Sequence, residues 1–446
     1  MHAETDELLV GWGRTAPTRS QVLGPLELEQ LQHLVASRPG CGVLARGAGR
    51  SYGDAAQNAK GYVLAPVTKP VIEIDAPAAT VRASASVTFA ELLTALVPHG
   101  LLLPVLPGTR HLTVGGAVAA DVHGKNQRRD GSMAAWIDEI ELLDGSGQLH
   151  WLTLDGDPAA FLATVGGMGL TGIILAVTLR LQRIASAQLQ VTTRRLPDLD
   201  AVLDAMDRSD SHYAVAWIDT TAAGRSLGRG IVHVGDHLAG PDPAAEPDGL
   251  AYQAGRPRRA PTMPFCPLAH WSARALNSLW FRRAPADGDG LVGLPAFFHR
   301  LDALSDWNRA LGPRGILQYQ FAVPDSGCQV ITEVLERVGR GGLAPFLGTL
   351  KRFGAASGAP LSFPLPGWSL AVDMPAGRPR LGSLLEDLDR KVAAAGGRLY
   401  LAKDARMTRQ AFDQMYGDLA GWRSIRAKFD PAGVFRSDLG RRVGLC

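Results

Sequence analysis

The chain has 446 residues, of which 46% are hydrophobic and 20% are charged, which is an ordinary globular composition in a length comfortable for two domains. Its formal net charge of +3 is too small to indicate a nucleic-acid-binding protein, but it is compatible with an anionic small substrate. The four cysteines, at positions 41, 266, 328 and 446, lack the spacing of a metal site or a CxxC motif, so we expect free thiols and no metal.

No export signal or membrane span is visible in the sequence. The N-terminal segment MHAETDELLVGWGR is acidic where a signal peptide would be basic, and it has no apolar core. Apolar runs such as GIILAVTL (172–179) are far shorter than a transmembrane helix. We therefore expect a cytoplasmic protein that is at most peripheral at the inner membrane.

The first 185 residues show signals for both helices and strands. Apolar residues at helical spacing predict a helix over 25–37, and alternation predicts a half-buried strand over 80–87. Thr88 and Glu91 form a T-x-x-E capping box that opens the next helix. The patterns that follow predict a hairpin over 137–154, a helix that begins at Asp157–Pro158, and a buried strand over 171–182.

The pattern changes after about residue 187. Strand-like segments such as 212–220 and 316–324 are more widely spaced. Residues 236–267 contain seven prolines and several glycines, which predicts a mobile surface loop. The change indicates that a second domain begins near this point.

Two glycine-rich stretches carry the strongest functional signal. They are ARGAGRSYGDAAQN (45–58) and TVGGAVAADVHGKN (113–126). The first stretch fails the G-x-G-x-x-G pattern because position 52 is tyrosine, and no Walker A lysine follows it, so a Rossmann site and a P-loop are both disfavoured. Small residues nevertheless let backbone N–H groups approach a phosphate, and a concave turn of such groups binds anions.

Three segments resemble the FAD-dependent oxidases of the vanillyl-alcohol oxidase fold: RGAGRSYGD (46–54), PGTRHLTVGGAVAADVHGKN (107–126) and ATVGGMGLTGII (163–174). Within that fold they are most similar to the decaprenylphosphoryl-β-D-ribose 2-oxidases, the flavin half of a 2-epimerase. The resemblance extends over nearly the whole chain, through 11–17, 307–321, 359–368 and 396–406.

The resemblance implies an α+β, two-domain architecture of the PCMH type. A FAD-binding domain would cover residues 8–187, and an antiparallel-sheet substrate domain would cover 188–397. The tail, residues 398–446, would return to complete the FAD-binding domain.

The resemblance also implies which residues contact FAD. The first loop would wrap the pyrophosphate, and the second would pass the cofactor and line its ring. The implied cofactor-binding residues are Ala45, Arg46, Gly47, Ala48, Gly49, Arg50, Ser51, Tyr52, Gly53, Asp54, Ala55, Gly108, Thr113, Val114, Gly115, Gly116, Ala120, Asp121, Val122, His123, Ile174 and Tyr400.

Oxidation of an alcohol removes a hydride from carbon and a proton from oxygen, so the site needs a base. The resemblance points to His123 and Lys403. Histidine qualifies by its ordinary pKa, and a lysine qualifies if burial lowers its pKa, so the sequence leaves the choice open. The implied substrate-binding residues are Lys125, Trp217, Phe298, Gln318, Gln320, Lys351 and Ser369.

The chain departs from the wider fold at one informative position. Many sugar and alditol oxidases carry a flavin-linking histidine in the first loop, where this chain has Arg50, so we expect FAD to be bound without a covalent bond. Within the closer family, asparagine, cysteine and tyrosine stand where this chain has Ser369, Ala371 and Phe298. These changes bear on the substrate rather than on the scaffold.

The implied function is oxidation of the 2-hydroxyl of a polyprenylphosphoryl-β-D-ribose to a 2-keto sugar, the first half of epimerisation to an arabinose donor for cell-wall polysaccharide. A soluble alditol or aldonolactone oxidase on the same fold is the alternative, and a non-catalytic flavin-binding protein is a third possibility. Expected partners are a separate NAD(P)H-dependent short-chain reductase and oxygen or a quinone as electron acceptor, with no nucleic acid.

Overall fold

The computed structural model describes residues 5–37, 39–67, 69–238, 249–417 and 419–446. The chain has the α+β, two-domain fold of PCMH type that the resemblance implies. The described part of the loop predicted over 236–267 lies largely at the surface, where the Ala187 amide donates to the carbonyl of Gly249. Residues 239–248 of that loop lie outside the described residues.

The first sheet has four strands in the order β1-β2-β4-β3. The strands are β1 (Thr5–Leu9), β2 (Thr18–Leu23), β3 (Val43–Ala45) and β4 (Tyr62–Leu64). Helix α1 (Leu28–Ala36) buries Leu31 and Val35 against this sheet, which confirms the helix predicted over 25–37. The glycine-rich stretch 45–58 begins at the end of β3 and connects it to β4.

The second sheet has five antiparallel strands in the order β5-β6-β10-β8-β9, and the short strands β7 and β11 pair beside it. The strands are β5 (Ile72–Asp75), β6 (Thr80–Ser84), β7 (Leu101–Leu102), β8 (Ile137–Leu143), β9 (Leu149–Leu152), β10 (Ile173–Arg180) and β11 (Gln182–Arg183). The helices of this region are α2 (Phe89–Leu96), α3 (Val114–Ala119), α4 (Gln127–Asp130) and α5 (Pro158–Thr164).

Local signals in this region are confirmed. The Glu91 carboxylate accepts from the Thr88 amide at 2.7 Å, so the predicted capping box opens α2. The predicted hairpin is β8–β9, and Asp157 caps α5 with Pro158 as its first residue.

The region after β11 is built on an eight-stranded antiparallel sheet in the order β16-β12-β14-β13-β19-β20-β18-β21, with β15 and β17 paired in parallel beside it. The strands are β12 (Gln188–Leu196), β13 (Tyr213–Ile218), β14 (Gly230–His237), β15 (Arg258–Arg259), β16 (Asp287–Gly293), β17 (Leu304–Ser305), β18 (Ile316–Val323), β19 (Leu347–Phe353), β20 (Gly367–Pro375) and β21 (Arg398–Leu399). The helices are α6 (Leu199–Asp207), α7 (His270–Arg283), α8 (Leu294–Phe298), α9 (Gln329–Arg340) and α10 (Leu381–Ala394).

The last residues contact the N-terminal region again. They form α11 (Arg409–Tyr416), α12 (Ala420–Phe429) and α13 (Asp438–Val443). The indole of Trp422 donates to the carbonyl of Ala163 at 3.0 Å, and Phe435 bridges Val43 of β3 in parallel. The domain limits at 187/188 and 397/398 stay a prediction.

Candidate active site

A cavity of about 740 Å³ lies between the glycine-rich loops and one face of the eight-stranded sheet. Most of the residues implied by the resemblance meet here. Those that line the cavity are Ala45, Arg46, Gly47, Ala48, Gly49, Arg50, Ser51, Tyr52, Ala55, Gly108, Thr113, Gly115, Gly116, Ala120, Val122, His123, Ile174, Gln318, Gln320, Lys351, Ser369, Tyr400 and Lys403.

The first loop presents unused hydrogen-bond donors to the cavity. The backbone N–H groups of residues 47–51 donate to no acceptor among the residues that the structure describes. The neighbouring amides of Arg46 and Tyr52 are satisfied by the carbonyls of Leu64 and Ala402. A run of free N–H groups along a cavity wall is the donor set that a pyrophosphate requires.

The absence of a side chain serves different purposes at Gly47 and at Gly108. A Cβ at Gly47 would come within 2.2 Å of the Thr113 hydroxyl, so this glycine lets the two loops touch. At Gly108 a Cβ would meet no protein atom within 4 Å and would project into open space beside the cavity. Gly47 therefore serves the packing of the two loops, whereas Gly108 leaves space open beside the cavity.

The sheet supplies the opposite wall through side chains that alternate with period two. Gln320, Ala371 and Thr349 are direct cross-strand neighbours on β18, β20 and β19, and all three line the cavity. Ser369 and Lys351 form the next row along the same strands. One face of the sheet therefore aims Gln318, Gln320 and Lys351 at the same space.

His123 is buried, and a side-chain nitrogen faces each of its ring nitrogens. Its Nε2 lies 3.2 Å from the side-chain amide of Gln320, and its Nδ1 lies 3.3 Å from Nζ of Lys351. Desolvation, and then the charge of Lys351, hold the pKa of His123 well below its usual value. The imidazole is therefore neutral at pH 7.

Lys403 is half-buried at the cavity wall, with its Nζ 4.3 Å from the centre of the Tyr52 ring. That Nζ donates to no acceptor among the described residues. Desolvation lowers the pKa of Lys403 to about 8, and the charge of Asp373 opposes this shift. Desolvation, with the charge of Lys403, lowers the pKa of Lys351 to about 7.

Asp373 is a site residue that the sequence analysis missed. It stands on β20 and accepts hydrogen bonds from Gln318 Nε2 at 2.7 Å and from the Tyr52 hydroxyl at 3.0 Å. Burial raises the pKa of this carboxyl to about 6, so it is mostly ionised at pH 7. The sequence did contain a sign of this role: Asp373 is the one carboxylate in a strand that is buried at every position, and a buried carboxylate needs polar partners.

Seven implied residues do not line the cavity, and each has another role. Asp54 forms an ion pair with Arg442, and Gly53 packs on the carbonyl of Asp404. Val114 lies in the hydrophobic core. The buried carboxylate of Asp121 accepts hydrogen bonds from three serines, which fixes the turn before His123.

The remaining three are implied substrate residues. Lys125 donates to the carbonyl of Phe297, and its Nζ lies 5.7 Å from the centre of the ring of Phe298, which is itself buried. Trp217 on β13 is the cross-strand neighbour of Thr349 on β19, one strand farther from Gln320. It does not line the cavity. In this structure Lys125 and Phe298 pack together and Trp217 does not line the cavity, so direct contact of these three residues with substrate stays a prediction.

The residues present fit FAD. The free N–H groups of 47–51 suit its phosphates, and the open space beside Gly108 suits the close approach of a cofactor. The apolar part of the wall includes Val122 and Ile174, which suit a flat aromatic ring.

Comparison with known proteins supports this fit. A family described as an FAD binding domain matches residues 20–153, and one described as D-arabinono-1,4-lactone oxidase matches residues 375–443. The chain is 39% identical to the decaprenylphosphoryl-β-D-ribose oxidase of Mycolicibacterium smegmatis, over 99% of this chain and 98% of that protein. It is 31% identical to an alditol oxidase of a Streptomyces species, over 38% of this chain and 40% of that protein.

The match to the mycobacterial oxidase includes both flavin loops, the eight-stranded sheet and the C-terminal return. The match to the alditol oxidase covers a much smaller share of either chain. The cofactor is FAD, and the protein is an FAD-dependent oxidoreductase. The chain belongs to the decaprenylphosphoryl-β-D-ribose oxidase family.

Proposed function

We propose that the protein oxidises the 2-hydroxyl of a polyprenylphosphoryl-β-D-ribose to the 2-keto sugar. The observation that carries the proposal is the half-buried amine of Lys403. It has no hydrogen-bond partner among the described residues, and it shares one cavity with a neutral histidine and the donor set for FAD. The half-buried Lys351, which is charged in part at neutral pH because its pKa is lowered to about 7, suits a substrate that carries a phosphodiester charge.

We assign the base to Lys403. Its Nζ is free of hydrogen bonds within the described chain, and a pKa of about 8 lets a useful fraction of the amine accept a proton at neutral pH. His123 is less suited, because a side-chain donor faces each of its ring nitrogens and desolvation holds its pKa well below the usual value. FAD, when bound, supplies the acceptor for the hydride.

We assign His123 to positioning. A neutral imidazole has one acceptor nitrogen, and the two groups that face the ring, the side-chain NH2 of Gln320 and the ammonium of Lys351, are both donors, so the ring accepts a hydrogen bond from one of them. These two side chains flank the ring and hold it at the cavity wall. In this role His123 holds Lys351 in place to meet the substrate charge.

Residues 45–52, Gly108 and Thr113 to Gly116 would hold FAD without a covalent bond. At position 50 the guanidinium lies 4.4 Å from the centre of the Trp12 ring, and its Nε donates to the carbonyl of His111 at 3.1 Å. A protonated guanidinium engaged in this way is not a nucleophile.

We therefore expect acid precipitation of the protein to release all of its yellow flavin into the supernatant. The absorbance of supernatant and pellet near the flavin bands measures the partition. Flavin that stays with the precipitated chain would show a covalent bond and contradict the assignment of Arg50.

The expected partners follow from the chemistry. Inversion at the oxidised carbon requires a hydride from the opposite face, so a separate NAD(P)H-dependent reductase would complete the epimerisation, and oxygen or a quinone would reoxidise the flavin. No helix in the described ranges is long and apolar enough to cross a membrane. A lipid-linked substrate would be met by peripheral association at the membrane surface.

The test is anaerobic mixing of the purified holoenzyme with a prenylphosphoryl-β-D-ribose or with a free alditol. We expect the lipid sugar to bleach the flavin and the alditol to leave it oxidised. With an electron acceptor present, a 2-keto sugar should accumulate, and no arabinose product should form until a reductase and NADH are added. Rapid bleaching by the alditol alone would assign the protein to alditol oxidation instead.

A further inference from the structure

Residues 251–286 concentrate positive charge. This segment contains six arginines and no aspartate or glutamate, whereas the formal charge of the whole chain is only +3. Five of the six make no ion pair and no side-chain hydrogen bond with any described residue; these are Arg256, Arg258, Arg274, Arg282 and Arg283. Exposed cations without protein partners are available to an external anion.

Large apolar side chains are exposed in the same region. Trp271 is 76% exposed and Phe265 is 62% exposed, which is unusual for residues of this size. We call the set the 265–304 patch. It consists of Phe265, Trp271, Leu276, Leu279, Trp280, Leu301 and Leu304.

Helix α7 carries most of the patch and is held to the domain by its other face. Ala273 and Asn277 are buried, and Arg229 donates to the hydroxyl of Ser278 at 3.0 Å. The guanidinium of Arg229 also lies 4.6 Å from the centre of the Phe281 ring. The side that carries Trp271 and Leu279 therefore faces solvent on a firmly attached helix.

The patch is continuous with the cavity. Leu301 and Leu304 line the cavity and are also 45% and 41% exposed, so they stand at its mouth. The guanidinium of Arg300 lies 6.0 Å from the centre of the Trp280 ring, which joins this mouth to α7. The exposed face of α7 therefore lies near the mouth of the cavity.

We infer that the 265–304 patch docks the protein on an anionic lipid bilayer, with α7 lying in the interface. Tryptophan and leucine would enter the boundary between headgroups and acyl chains, and the surrounding arginines would contact lipid phosphates. On this surface a lipid-linked sugar would be delivered to the cavity, and that part of the inference rests on the proposed function. Membrane binding itself rests only on the exposed residues and their charge.

A bilayer explains the patch better than a protein partner does. The positive charge is arginine-only and extends from β15 to the end of α7, which matches the uniform negative charge of a lipid surface. The cavity mouth opens within the apolar set, where a lipid tail would leave the site.

The test is co-sedimentation of the holoenzyme with vesicles of phosphatidylglycerol and phosphatidylcholine, or of phosphatidylcholine alone. We expect binding to the anionic vesicles that weakens at least tenfold in Trp271→Ser/Leu279→Ser and in Arg274→Glu/Arg283→Glu. The matched controls are Trp151→Ser and Arg423→Glu, which remove an exposed tryptophan and an exposed arginine outside the patch and should bind as the parent does. Circular dichroism and FAD content verify folding.

A second readout separates this inference from the proposed function. Oxidation of a short-chain, water-soluble prenylphosphoryl ribose should be unchanged in the patch variants, while oxidation of a long-chain substrate in vesicles should fall with vesicle binding. The inference would be overturned if the parent protein did not bind anionic vesicles. It would also be overturned if the tryptophan–leucine and arginine variants bound them as well as the parent does. Either result would indicate a protein partner for the patch. Normal vesicle binding without oxidation of either lipid sugar would overturn the proposed function alone.

Discussion

Replacement of Lys403 by methionine is expected to slow anaerobic flavin reduction by a prenylphosphoryl ribose by about 100-fold or more, the usual scale for a positioned base. Methionine keeps an unbranched side chain as far as the ε-carbon and removes the amine. Bound FAD should remain, because the free N–H groups of residues 47–51 belong to another part of the cavity wall. Stopped-flow absorbance at the flavin band measures the rate.

The pH dependence of the same rate identifies the base. A lysine accepts a proton only when neutral, so with a pKa of about 8 for Lys403 the parental rate should rise through pH 8. If His123 were the base, the rate would be flat above pH 7, since its pKa lies well below 6.5. Lys403→Met should abolish the rise, whereas His123→Ala should lower the rate but keep the rise.

Asp373 provides an independent check. Its carboxylate raises the pKa of Lys403, so Asp373→Asn should move the rising part of the profile to lower pH. Lys428→Met is the matched control, because Lys428 is exposed and does not line the cavity. Parental reduction rates in Lys403→Met across the pH range would contradict the assignment.

Replacement of Arg442 by alanine is expected to destabilise the protein by about 3–5 kcal/mol, the scale for breaking a buried ion pair by removing one partner. Arg442 binds both carboxylate oxygens of Asp54, at 2.7 and 2.9 Å, and Asp404 at 2.8 Å. These contacts raise the pKa of Arg442 further, so it stays charged. Alanine would leave two largely buried carboxylates without their counter-charge.

The loss should also weaken FAD binding. Asp54 lies in the first glycine-rich stretch and Asp404 directly follows Lys403, so Arg442 ties this stretch to the segment that carries Lys403. Urea unfolding followed by circular dichroism, together with FAD titration of the apoprotein, measures both effects. Arg442→Lys should be intermediate, because an ammonium cannot form the bidentate contact.

Arg409→Ala is the matched control for Arg442. Arg409 is 64% exposed and pairs with Asp413 at 3.8 Å within α11, and such surface pairs contribute about 0–1 kcal/mol. If Arg442→Ala changed the free energy of unfolding no more than the control does, the contacts of Arg442 would not stabilise the packing of the C-terminal residues on the N-terminal region.

Much of the local structure could be predicted from the sequence, because the interactions that decide it lie within a few residues. The capping box of Thr88 and Glu91, the hairpin β8–β9 and the N-terminus of α5 are of this kind. Period two along β18 likewise predicts that Gln318 and Gln320 share one face. The glycine-rich loops predict an anion site by their small residues alone.

The tertiary structure decided which of these groups act together. His123 meets Lys351 over 228 residues, and Arg442 meets Asp54 over 388, and no periodicity in the sequence links such positions. The same packing separates Lys125 and Phe298 from the cavity and brings in Asp373, which sequence reasoning missed. It also sets the lowered pKa of Lys403, because desolvation depends on what surrounds a side chain and not on its neighbours in the chain.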